Sequence, residues 1–194
     1  MFAGEEGDQQ LVERVQKGDK RAFDVLVLKY QHRIYSLVSR FVRDPDEVQD
    51  VVQEAFIKAY RALPGFRGDS AFFTWLYRIA INTAKNYLVS RARRPPGADV
   101  DVDDAEHLES AGALRDLAGP ENEMMTEQLR AVIDRAIRAL PEDLRTALTL
   151  REFEGLSYEE IAEVMRCPVG TVRSRIFRAR EAVDHEILPL VQGN

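Results

Sequence analysis

Between Leu156 and Arg180 the chain reads LSYEEIAEVMRCPVGTVRSRIFRAR, an order of residues that few folds can accommodate. Ser157 is followed three positions later by Glu160, so hydroxyl and carboxylate can satisfy each other's free backbone donors where a helix begins. The apolar residues Tyr158, Ile161, Ala162 and Met165 then fall at i, i+3, i+4 and i+7, which places them on one buried face. Pro168 cannot continue that helix but suits the first turn of the next, where its missing N–H would be unpaired in any case. Two helices are therefore expected to meet at a tight corner.

In the second helix Val172, Ile176, Ala179, Val183 and Ile187 recur at steps of three and four and mark the inward stripe. At about 100° per residue, Gly170, Thr171, Ser174, Phe177 and Arg178 point away from it, with Arg173 and Arg175 on the flanks. From Arg166 to Arg180 there are five arginines and no acidic residue. An ordinary solvated helix mixes charge signs and hides an aromatic such as Phe177. A short helix crossing a basic second one is a helix-turn-helix, whose second helix enters the DNA major groove. Small residues at its start let the backbone approach, and arginine contacts phosphate or pairs with guanine.

A formal net charge of -6 sits badly with DNA binding until it is divided along the chain. Pro95 to Glu123 holds nine acidic residues against the single basic Arg115, a local charge of -8, which leaves the remainder at +2. Regional charge is what a phosphate backbone senses. With Cys167 as the only cysteine, no internal disulfide can form, a small residue packed at the corner is preferred to a redox sensor, and a reducing compartment is expected. His32, His107 and His185 match no metal-ligand spacing, so neither metal nor cofactor is expected. There is no run of about eighteen apolar residues and no secretion leader, and the expected location is cytoplasmic.

Read in order, the chain is a succession of helices with no period-two strand pattern. A first helix spans Asp8 to Lys17 and stops at Gly18; Asp19 caps a long one in which Phe23, Leu26, Val27, Tyr30, Ile34, Leu37, Val38 and Phe41 face inward. Asp44, Pro45 and Glu47 start another. There Val48, Val52, Ala55, Phe56, Ala59 and Leu63 face the core, while Asp50, Gln53, Glu54, Ile57 and Arg61 face out. An isoleucine ringed by acids, an amide and an arginine has the makeup of a docking surface, although an incidentally exposed side chain explains it as well.

The loop PGFRGDS leaves Phe66 and Arg67 exposed, and Asp69 or Ser70 caps the next helix, running from Ala71 to Arg94. Its inward set is Phe72, Trp75, Leu76, Ile79, Ala80 and Thr83. Its outward set, Thr74, Tyr77, Arg78, Ile81, Asn82 and Lys85, combines cations, amides and an aromatic, as a single-stranded nucleic acid groove requires. Pro95 and Pro96 end this helical region. The acidic stretch that follows cannot offset the entropy of ordering itself and is expected to be a flexible linker. As coil it would average roughly 30 Å end to end and could extend to about 90 Å. After Pro120, one helix carries Met125, Leu129, Val132, Ile133, Ala136, Ile137 and Leu140. A second opens at Pro141 with Glu142 and Asp143 and stops at Gly155. The expected fold is all-α: a helical domain over 1–94, a linker over 95–123 and a helix-turn-helix domain over 124–194.

The segments DVVQEAFIKAYRAL, FRGDSAFFTWLYRIAINTAKNYL, LPEDLRTALTLREFEGLSYEEIA and CPVGTVRSRIFRAREA resemble an extracytoplasmic-function (ECF) sigma factor of bacterial RNA polymerase, of the envelope-stress sigma-E type. The resemblance implies that Asp50, Gln53, Glu54, Ile57 and Arg61 dock on the polymerase core, through a coiled coil of β′ with further contact to β. It implies that Phe66, Arg67, Arg78, Asn82, Lys85 and Asn86 melt and hold the −10 promoter element. The −35 element would be read by Arg173, Ser174, Phe177 and Arg178, with Pro168, Gly170 and Thr171 near the DNA backbone and Arg151 assisting. It further implies a linker along the polymerase RNA path and control by a membrane-anchored anti-sigma factor. Two other classes frame this reading. A stand-alone helix-turn-helix regulator, with a sensing or dimerising N-terminal domain, would bind DNA tightly without polymerase. A nucleic-acid enzyme would need a phosphate loop, a carboxylate cluster or a nucleophile constellation that the sequence does not offer.

Overall fold

The structure, a computed structural model, describes residues 3–93 and 120–192. Helix α1 spans Ala3–Gln16 and so begins five residues before the expected Asp8. Asp8 lies inside it, 4% exposed, and its carboxylate receives the Tyr30 hydroxyl and an ion pair from Lys29 at 2.6 Å. A buried carboxylate is tolerable only with such partners. Gly18 turns at φ 97°, and Asp19 accepts from the Arg21 N–H to start α2, Lys20–Ser39. Asp44 accepts from the amides of Asp46 and Glu47 and opens α3, Pro45–Ala62. A 3₁₀ turn, Leu63–Gly65, follows.

Helix α4, Phe72–Ala92, departs from expectation at its start. Its N-cap is Ala71, without a side-chain hydrogen bond, because Asp69 and Ser70 lie in the preceding turn after Gly68. Four more helices complete the fold: α5, Pro120–Ala139; α6, Glu142–Glu152; α7, Tyr158–Met165; and α8, Val169–Gln192. Every regular element among the described residues is a helix. The acidic stretch 95–123 lies outside the described residues up to 119, and from Pro120 it already forms the start of α5.

A linker that can hold two bodies apart does not make them separate. One hydrophobic core runs from Val12, Leu26, Ile34 and Leu76 into Ala147, Leu150, Ile161 and Ile176, so both halves of the chain contribute to it. A smaller core of Ala136, Ile137, Leu140, Leu148, Ala179 and Val183 holds α5 and α6 against α8. The two halves meet where α7 lies against α4. For this reason the outward register expected of α4 is overturned in part: Tyr77 is fully buried, and Thr74 and Ile81 are 1% and 4% exposed. The helical period was correct, but periodicity assumes a single buried side, and α4 is covered on more than one.

Candidate nucleic-acid interface

The corner at Arg166 sets the geometry of the C-terminal half. The Glu160 N–H donates to the Ser157 hydroxyl at 3.2 Å and the Ser157 N–H to the Glu160 carboxylate at 2.6 Å, closing the capping box that opens α7. Arg166 ends the helix at φ 51°, the only non-glycine residue in left-handed conformation among those described. The Pro168 carbonyl then receives the amides of Thr171 and Val172, at 2.9 and 3.2 Å, and α8 departs from there. Val172, Ile176 and Ala179 turn inward and are at most 2% exposed. Consequently Gly170, Arg173, Ser174, Phe177 and Arg178 all lie on the solvent side, with Phe177 at 67% exposure. A Cβ on Gly170 would meet nothing within 4 Å, so internal packing does not require a glycine there.

Two arginines near this face have structural work. Arg175 turns back to pair with Asp143 at 2.5 Å and donates to the Cys167 sulfur at 3.3 Å, tying the start of α8 to α6. Arg151 donates to the Leu156 carbonyl at 2.8 Å and lies over the Tyr158 ring at 4.9 Å, with Arg173 on the same ring at 5.7 Å. Arg178 and Phe177 have no such duty among the described residues. They are displayed.

The second candidate face is on α4 and the loop before it. Gln16 donates to the carbonyls of Leu63 and Phe66, at 3.0 and 2.8 Å, which fixes where the loop leaves α3. Phe66, expected to be exposed, is half-buried instead, its ring 5.0 Å from Trp75 and 6.3 Å from Phe72. Arg67, Asn82 and Asn86 are exposed; Arg78 and Lys85 are half-buried. Lys85 reaches across to α6, 2.7 Å from Glu142 and 3.8 Å from Asp143. A cleft of about 310 Å³ separates the halves here, lined in part by Arg78, Asn82, Lys85, Asp143, Arg166 and Arg175. Burial, then the neighbouring Arg166, lowers the Arg78 pKa from its ordinary value.

On the far side, α3 shows Asp50, Gln53, Glu54, Ile57 and Arg61 to solvent, with Ile57 42% exposed. Beside them runs a groove of about 1040 Å³ between α2 and α3, whose apolar lining includes Val27, Tyr35, Val52, Phe56, Ile57 and Tyr60. The α2 half of this groove escaped sequence reasoning. Its only trace was the presence of Tyr35 outside the inward stripe. No group of three or more His, Cys, Asp or Glu able to hold a metal occurs among the described residues, and no helix there is long and apolar enough to cross a membrane.

Comparison with known proteins then decides the family. Sigma-70 region 2 matches residues 26–94, and Sigma-70 region 4 matches 130–183. The RNA polymerase sigma-H factor of Pseudomonas aeruginosa is 69% identical over 188 residues, covering 97% of each chain. The ECF RNA polymerase sigma-E factor of Escherichia coli (strain K12) is 67% identical over 185 residues, covering 95% of this chain and 96% of that one. The chain belongs to the ECF RNA polymerase sigma factors. The fold agrees. The structure of CnrH in complex with the cytosolic domain of CnrY aligns at TM-score 0.67 and 26% identity, covering 92% of this chain and 96% of CnrH. The sigma factor RpoE of Bartonella quintana, solved with the anti-sigma factor NepR, is alike in fold at TM-score 0.61 and 24% identity, covering 85% and 96%. In this sigma factor the region 2 match runs from within α2 through α4, and the region 4 match includes the corner at Arg166 and the displayed face of α8. Sigma factors are transcription initiation factors.

Proposed function

We propose that this chain is a non-catalytic promoter-specificity subunit that works in the cytoplasm on envelope-stress promoters under the control of an anti-sigma partner. Its functional units are 1–94 for polymerase docking and the −10 element, 95–123 as linker, and 124–194 for the −35 element. Arg173, Ser174, Phe177 and Arg178 read the upstream duplex, with Pro168, Gly170 and Thr171 against its backbone and Arg151 steadying the corner. Phe66, Arg67, Arg78, Asn82, Lys85 and Asn86 engage the opened strand. Asp50, Gln53, Glu54, Ile57 and Arg61 dock on β′, and the groove between α2 and α3 extends that surface. The observation that carries the reading is the display of Phe177 and Arg178 on the solvent face of α8, beside Arg173, while Arg175 and Arg151 are drawn into internal contacts. Aromatic residues and arginine are the side chains enriched where a partner covers a surface.

Each half alone covers few base pairs, and the net charge opposes DNA, so affinity arises when polymerase joins the two halves at high effective concentration. In vitro transcription with purified core polymerase on a promoter library tests this. Initiation at defined start points is expected, together with weak DNA retention by the free chain in a gel shift. Tight specific retention without polymerase would mark a self-sufficient regulator instead. The anti-sigma partner follows from the CnrH–CnrY and RpoE–NepR complexes, and co-purification of a membrane-anchored protein with the intact chain is the check.

A further inference from the structure

Helix α1 precedes the Sigma-70 region 2 match, which begins at residue 26, and none of its residues figures in the contacts proposed for DNA or polymerase. Val12 and Val15 bury its inner face in the core. Gln9 and Gln16 lie about two turns apart along one side of the helix, and both meet the loop between α3 and α4. The Gln16 amide donates to two carbonyls at once, Leu63 at 3.0 Å and Phe66 at 2.8 Å. The Leu63 carbonyl also receives the Phe66 N–H at 3.0 Å, so the 3₁₀ turn and α1 are tied at one atom. At the far end of the loop Gly68 turns at φ 76°, and a Cβ there would stand 3.8 Å from the Gln9 Oε1. Between these ends the Phe66 ring lies 5.0 Å from Trp75 and 6.3 Å from Phe72. Phe72 is 5.7 Å from Tyr30, whose hydroxyl donates to Asp8 of α1.

We propose that α1 is the brace that sets the shape of the promoter-reading loop, with Gln16 as a positioning residue for recognition of the −10 element. The inference rests on the assignment of Phe66 and Arg67 to the opened strand. Among the described residues the backbone from Arg67 to Ser70 forms no backbone hydrogen bond, so side chains fix its course. By tying Leu63 to Phe66, the Gln16 amide fixes the peptide from which the exposed Arg67 departs. A loop already in its binding shape need not be ordered when the strand arrives, and that ordering is worth about threefold to tenfold in affinity for each side chain immobilised. A loop that wanders also meets several bases equally well, so the loss falls on discrimination between bases. Gln16 itself is exposed, and water can replace its amide at both carbonyls, so the fold is nearly indifferent to its removal.

The test uses the full chain assembled with core polymerase, transcribing a promoter library randomised at both elements. Gln16→Glu keeps the shape of the side chain and replaces its donor with an acceptor; Gln16→Ala removes the amide without adding charge. Both should reduce base discrimination within the −10 element by about threefold to tenfold. Discrimination at the −35 element, polymerase capture and melting temperature should match those of the unmodified chain. Gln10→Glu, exposed on the same helix, adds the same charge as Gln16→Glu and should change none of these. Trp75, the single tryptophan of the chain, gives a readout in the free protein. As Phe66 leaves its ring, the emission of both Gln16 variants should move to longer wavelength. If Gln16→Glu fails to fold, Gln16→Ala decides. Lost discrimination and shifted emission are expected together, and either without the other would overturn the proposal, as would an equal loss at both elements. An unmodified chain that initiates with no −10 preference would sink the strand assignment itself, whereas a clear preference kept by the Gln16 variants would sink only the brace.

Discussion

Arg175 and Arg178 are three residues apart on α8 and have opposite fates. The first is turned to Asp143 and Cys167, while the second is left in solvent next to Phe177. Arg178→Ala should weaken recognition of the −35 element by about 1–3 kcal/mol if it pairs with a base, while polymerase capture stays unchanged. Footprinting of the assembled holoenzyme measures the first and a pull-down the second. Gly170 is a sharper probe, since a side chain there meets nothing in the free protein. Gly170→Leu should raise stability by about 0.5–1 kcal/mol through helix propensity. The same leucine should obstruct the approach of DNA. A higher melting temperature together with lost −35 binding is the expected pair of results. At this scale Phe177 was legible, because three- and four-residue spacing alone puts it off the inward stripe of Val172 and Ile176. Tyr77 and Phe66 were not legible. Their partners, Glu154 in one case and Trp75 in the other, are chosen by how segments fold back.

At the scale of elements, the corner between α7 and α8 depends on the reciprocal bonds of Ser157 and Glu160. Ser157→Ala should cost about 1 kcal/mol, a fall in melting temperature of roughly 2–4 °C for a chain this size. Thermal unfolding followed by circular dichroism reads it directly. Helix α3 gives a different test. Glu54 has only its i,i+4 neighbour Lys58 at 2.7 Å, a surface pair worth about 0.3–0.5 kcal/mol. Glu54→Arg should therefore leave folding almost unchanged and abolish capture by polymerase through reversal of the docking charge. Retained capture would place the docking surface elsewhere. The caps at Asp19, Asp44 and Ser157 could be read from sequence because each acts within three residues of itself. The start of α4 could not, because Asp69 and Ser70 suit an N-cap equally well and the turn after Gly68 uses neither.

For the molecule as a whole, the decisive contact is the one between its halves, and it carries its own pH dependence. Burial first, then the Glu154 carboxylate, raises the Tyr77 pKa far above its ordinary value of about 10. The folded chain thus keeps this tyrosine neutral where the unfolded chain would ionise it. Its contribution is fully present below about pH 10 and lost above, at about 1.4 kcal/mol for each further pH unit. The melting temperature followed by circular dichroism should fall as pH rises from about 10 to about 11, and Tyr77→Phe should flatten that response. Sequence alone determined the helical content, the helix-turn-helix with its displayed basic face, the charge division between the acidic stretch and the rest, and the solvent-facing set of α3. All of these follow from interactions within one or two helical turns. Tertiary structure alone decided that the halves share a core, that Thr74, Tyr77 and Ile81 of α4 are buried, and that Lys85 faces Glu142. Contacts between residues far apart along the chain depend on how helices pack as bodies, and local periodicity holds no record of that choice.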